Sequence, residues 1–175
     1  MRKTFFITVL FLFFITSFSF SQKFGYLDTE AIIMLMPETE VAQAQLESQI
    51  TELQTQMEEM QVEYNNLYKE YVDNESLAVG ATGKWSKAIK EVKESELMQL
   101  QERITAFQTT AEASVQEIQT ELFTPIYDKI DAAVQAVAKE KAYICVFDIN
   151  NVLYINPDKC DDVSSDIKVK LGIIE

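Results

Sequence analysis

The chain has 175 residues, a formal net charge of −13 and 47% hydrophobic side chains, too apolar for a wholly disordered polymer despite its charge. Only 4 glycines and 3 prolines are present to make turns, which disfavours a sandwich or barrel of many short strands. The absence of histidine removes His-based triads, most zinc sites and the commonest general base, and two cysteines are too few for a thiolate cluster. No metal, no cofactor and no enzymatic activity are expected.

Arg2 and Lys3 precede an apolar run over 5–15 broken only by Thr8, and Ser19 and Ser21 form a small pair before a cut ahead of Gln22. This is the pattern of a secretory signal peptide over 1–21. Its apolar stretch is shorter than the ~20 residues that span a bilayer. Cleavage leaves 13 basic and 28 acidic residues, a balance of −15. A chain this acidic does not bind nucleic acid non-specifically.

From Gln22 the sequence turns to structure. Lys23–Asp28 is a short strand by its aromatic content, and Thr29 is placed to cap a brief helix over Glu30–Met36 that Pro37 ends. Glu38–Val79 contains no Gly or Pro. Within it Leu46, Ile50, Leu53, Met57, Met60, Tyr64, Leu67 and Tyr71 follow one another in steps of four and three, a heptad seam. At 1.5 Å per residue the segment reaches ~60 Å.

Gly80 and Gly83 bracket a reversal, since both tolerate positive φ. A second seam then runs Trp85, Ile89, Val92, Leu97, Leu100, Ile104, Phe107, Ala111, Val115, Ile118 and Leu122, with a step of five after Val92 that predicts a local change of supercoil. Two long helices joined by a tight turn pair antiparallel. Pro125 marks a bend or a fresh helix start, and Ile126, Ile130, Val134 and Val137 continue a stripe to about Glu140. Tyr143–Phe147 and Val152–Ile155, flanking Asn150-Asn151, read as a β-hairpin, and Ser164 or Ser165 can cap a last helix ending at Leu171 before Gly172. The fold class is therefore mainly α with a small β body. Its parts are a first body segment at 22–37, a helical-hairpin arm at 38–123 with its tip near 80–83, and a second body segment at 124–175. A three-stranded sheet with one helix layer is marginal alone, so association through the sheet and its edges is expected.

The order of these pieces resembles the Skp/OmpH family of periplasmic chaperones. It runs from Phe24-Gly25-Tyr26-Leu27-Asp28 through a long helical hairpin to Pro125 with 130–138, then Val146-Phe147-Asp148, Val152-Leu153-Tyr154 and Asp166-Ile167. The resemblance implies a periplasmic homotrimer whose body is built of short strands from three chains. On this reading Phe24, Tyr26, Ile144, Val146, Val152 and Tyr154 belong to the trimer body. Three arms would enclose unfolded outer-membrane β-barrel proteins and keep them from aggregating without ATP. One departure stands out: Glu38–Val79 holds ten acidic residues and one lysine. Arms so negative repel lipid phosphates, so lipopolysaccharide binding is not carried over from the family. A non-catalytic structural or adaptor protein of the cell envelope is the rival reading.

Apolar residues off the seam or near the tip are the candidate client contacts: Val62, Tyr68, Leu77, Val79, Trp85 and Met98. Scattered exposed apolar residues are also ordinary surface. Lys84, Lys87, Lys90 and Lys93 form a basic cluster in which Lys87 and Lys90 can pair with Glu91 and Glu94 along the helix. Asp28, Asp148 and Asp166 fall at element ends, where Asp caps backbone, and lack the spacing of a calcium loop. Cys145 and Cys160 either form a bridge closing a loop of ~15 residues, worth ~3 kcal/mol, or remain free. Reflection about Asn150 sets Cys145 opposite Ile155 instead.

Overall fold

A computed structural model describes residues 22–173. The expected leader over 1–21 lies outside the described residues. Strand β1 is Lys23–Leu27, helix α1 Thr29–Leu35, α2 Pro37–Ser76, α3 Lys87–Lys141, β2 Tyr143–Asp148, β3 Cys160–Asp162 and α4 Ser164–Leu171, with a 3-10 turn at Ile149–Asn151. The chain divides into two compact units, one covering 36–127 and the other made of the segments before and after it.

The first of these units is the helical hairpin. Pro37 opens α2 at its first turn, where its missing N–H costs nothing. All eight seam residues from Leu46 to Tyr71 are half-buried while their neighbours are exposed, so the heptad reading of α2 holds throughout. The seam of α3 differs near the tip. Ile89 and Val92 are 46% and 55% exposed, and the inward positions belong to Lys90 and Lys93. Lys90, Lys93, Leu97, Leu100, Ile104, Phe107 and Ala111 then keep unbroken three-four spacing, so the expected heptad break does not exist. The long aliphatic stems of the lysines fill seam positions while their charged ends reach out.

Pro125 lies inside α3, which runs through it without restarting. The hydroxyl of Thr124 donates to the Thr120 carbonyl at 2.6 Å beside the proline. The helix ends instead at Ala142, which adopts a left-handed φ of 56°.

In the other unit the three strands form one sheet in the order β2-β1-β3, with both pairings parallel. The expected hairpin is absent: Val152–Ile155 forms no strand, and the third strand is Cys160–Asp162. The reason is local. Asp148 accepts hydrogen bonds from the Asn150 backbone N–H at 3.1 Å and the Asn151 side chain at 3.3 Å, which winds the chain into the 3-10 turn rather than a tight reversal. Gly25 fits this sheet because a Cβ there would stand 3.0 Å from Val163 Cγ1, a side chain with no exposure. Leu27, Ile32, Ile130, Ala133, Val137, Val163 and Ile167 are the buried apolar residues of this unit. Lys141–Asp166 and Lys170–Glu140 ion pairs, each 2.6 Å, tie the end of α3 to α4. Helix α4 ends as expected at Gly172, left-handed with φ 72°.

Candidate functional site

At the distal end of the hairpin the turn is built by side chains of its own stem. Asn74, half-buried, donates from Nδ2 to the Gly83 carbonyl at 2.9 Å and accepts from the Trp85 backbone N–H at 2.9 Å. Lys84 donates to the Leu77 and Glu75 carbonyls, satisfying two acceptors freed where α2 stops. Gly80 and Gly83 take φ of 83° and 89°, as a sharp reversal requires. The reversal spans 77–86, a few residues wider than the tip expected at 80–83.

Below the turn the two helices are joined by polar pairs. Tyr71 donates to Glu94 Oε1 at 2.5 Å, and Lys90 pairs with Glu75 across the hairpin instead of with Glu94 along its own helix. The Glu94 carboxylate pushes the Tyr71 phenol up to about 12, mainly through that hydrogen bond. Lys90 holds Glu75 below the usual carboxylate range. Lys87 and Lys93 do pair along α3, with Glu91 at 3.8 Å and Glu96 at 2.9 Å.

Around this polar collar lie exposed apolar side chains. Of the six expected contacts, five are open to solvent: Val62, Tyr68, Leu77, Val79 and Met98, with Val79 95% exposed. Trp85 is not among them. It is half-buried, its ring 6.4 Å from Tyr71 with the Lys93 ammonium 6.0 Å from its centroid, so it anchors the tip. Val72, Ile89 and Val92 join the exposed set and were missed by sequence reasoning. The signal was available: carrying the three-four spacing back from Leu97 reaches Lys93 and Lys90, and leaves Ile89 and Val92 outside.

The sheet carries the second candidate surface. Gly25 and Leu27 face the covered side, whereas Phe24 and Tyr26 face the other. Register places Cys145 and Phe147 beside Phe24 and Tyr26, and Phe24 stacks on Phe147 with centroids 6.4 Å apart. Phe147 is 38% exposed. Val146 lies on the covered side against Gly25, and Ile144 is the extra residue of a bulge, 57% exposed. Val152 is half-buried and Tyr154 78% exposed, both in the irregular segment after the 3-10 turn.

Cys145 and Cys160 are both free thiols. Each is in register with Phe24, one on either side, so β1 stands between them. Two strand spacings of ~4.8 Å exceed the ~7 Å that a disulfide spans between Cα atoms, so of the two alternatives it is the free thiols that fit this sheet within one chain. Cys145 is exposed.

The carboxylates are structural. Asp28, not Thr29, caps α1, accepting from the Ala31 N–H at 3.0 Å and from the Asn150 side chain at 3.1 Å. These two bonds hold its carboxyl below the usual range. Asp162, not a serine hydroxyl, accepts from the Ser164 N–H at 2.9 Å. Among the described residues no group of three or more metal-ligating side chains gathers, and no helix is long and apolar enough to cross a membrane.

The family model for OmpH-like outer membrane protein matches residues 23–171. The chain belongs to the OmpH-like family. An uncharacterised protein of Aquifex aeolicus (strain VF5) is 29% identical to this OmpH-like chain over 157 residues, 90% of each sequence. A crystal structure from Caulobacter crescentus CB15, described as OmpH-like, superposes with a TM-score of 0.66 at 12% identity, covering 86% of this chain and 83% of the other. At that identity the likeness is one of fold, with long helices and a small three-stranded sheet.

Proposed function

We propose that the protein is an ATP-independent periplasmic holdase that keeps unfolded outer-membrane proteins from aggregating. The observation that carries this reading is the set of exposed apolar side chains at the hairpin's turn and on the helix ends beside it, outside the seam positions. Val72, Val79, Ile89 and Val92 are 44%, 95%, 46% and 55% exposed, and all lie within about two turns of the hairpin's end. Many weak apolar contacts hold a client without fixing its structure, and several arms acting together supply the affinity. The Caulobacter protein of the same fold is itself described as a candidate outer membrane chaperone.

A cavity needs more than one arm, and the reading therefore includes a homotrimer joined through the sheets. Phe24, Tyr26, Cys145 and Phe147 supply an open face for that contact. No catalytic role is assigned to any residue, and lipopolysaccharide is not among the partners, because the arm's first helix is strongly acidic.

The test is light scattering. Purified mature protein, at about one trimer per client, suppresses aggregation of a β-barrel protein diluted from urea. If scattering rises as fast with the protein as without it, the holdase reading fails and the structural-protein alternative stands.

A further inference from the structure

Midway along the hairpin the seam leaves a gap. Ala111, a small side chain at a seam position between Phe107 and Val115, lines this gap together with Leu53 and Met57. The result is a groove of about 710 Å³ with Leu53, Met57, Phe107 and Ala111 half-buried along it and Glu58 and Glu112 exposed at its margin. That volume falls within the ~300–1,000 Å³ range of ligand sites. Neither carboxylate is ion-paired among the described residues.

We propose that this groove binds an unfolded polypeptide segment in which apolar side chains alternate with Lys or Arg. The proposal rests on the holdase reading and names one of its contact sites. Three features select that occupant. The floor is apolar and includes Met57 and Phe107, side chains that adapt to varied shapes. The two margin carboxylates, Glu58 on the α2 segment with ten acidic residues and one lysine and Glu112 facing it from α3, favour cationic over anionic chains. Long Lys and Arg side chains beside an apolar contact can swing their charge to the margin while their stems cover the floor. The site differs from the exposed residues near the tip because it lies in the seam itself.

The experiment uses the mature chain and fluorescein-labelled 12-residue peptides, read by anisotropy. A peptide alternating leucine and lysine binds saturably, while leucine–glutamate and serine–lysine counterparts bind at least fivefold more weakly. Ala111→Leu fills the gap without changing charge and weakens leucine–lysine binding at least fivefold. The double change Glu58→Gln with Glu112→Gln, at exposed positions, weakens it at least threefold and flattens its salt dependence. Circular dichroism confirms that both variants keep their helicity. A smaller effect of A111L, or equal binding of the leucine–glutamate peptide, overturns the proposal. So does binding of dodecylamine alone with the same A111L sensitivity, which would make the groove a small-amphiphile site. The two readings fail separately. If A111L binds peptide as before and the parent chain still suppresses aggregation, the groove is wrong and the holdase stands. If A111L abolishes peptide binding but the parent chain leaves aggregation unchanged, the groove stands and the holdase is wrong.

Discussion

Single residues in this chain show their role through what a substitution would collide with or leave unpaired. Gly25 is the clearest. Replacing it with alanine sets a methyl group 3.0 Å from the fully buried Val163, and overpacking of that kind costs ~1–3 kcal/mol. The urea midpoint of Gly25→Ala falls accordingly; an unchanged midpoint would mean that Val163 is free to move. Ala142 is the reverse case. It holds a left-handed φ of 56° at the end of α3, so Ala142→Gly stabilises by up to ~1 kcal/mol in the same assay. Tyr71 and Tyr143 are both pushed up to about 12, the first by its hydrogen bond to Glu94 and the second by burial and then its bond to Asp161. A phenol whose pKa is raised on folding stabilises fully below the unfolded value of 10.0 and stops doing so as pH passes the folded value. Stability therefore declines between about pH 10 and pH 12, and a late phase in the ultraviolet titration disappears in Tyr71→Phe with Tyr143→Phe. The sequence shows Asp28 near a helix start, but not that it also accepts from Asn150, a residue 122 positions away.

At the level of elements, the heptad pattern of α2 was fully legible because a two-helix seam leaves a period that local spacing records. Helix α3 was legible from Leu97 onward and misread before it. Hydropathy assigns Ile89 and Val92 inward, whereas geometric continuity puts Lys90 and Lys93 there with their side chains only 21% and 26% exposed. The collar they form with Glu75, Tyr71 and Trp85 depends on which turn of α2 meets which turn of α3. This separates two kinds of tip variant. Val79→Ser with Ile89→Ser and Val92→Ser leaves the melting temperature within a few degrees and weakens suppression of client aggregation severalfold. Trp85→Ser lowers the melting temperature instead, since it removes a packed ring and leaves Tyr71 and Lys93 without it. If Trp85→Ser alone impairs holding while the triple variant does not, the assignment of these side chains is reversed.

For the whole molecule the sheet is decisive. Its open face carries Phe24, Tyr26 and Phe147 beside a thiol, and a copy seated there covers aromatic surface that the chain's own helices do not. For the proposed homotrimer, Phe24→Asp with Phe147→Asp therefore yields single subunits in sedimentation, and retained association would place the contact elsewhere. Both cysteines react with a thiol reagent after non-reducing denaturation, two per chain, because no intrachain bridge protects them. What the residues determined by themselves were the long helices, their seam, the acidic balance and the reversal at Gly80 and Gly83, all written in spacing and composition within one element. What only the tertiary structure decided was strand partnership. Parallel pairing joins β1 to strands more than a hundred residues distant, and no local pattern records a partner so far along the chain. That pairing turned an expected hairpin into two flanking edges, separated the cysteines and set the aromatic face apart from the core.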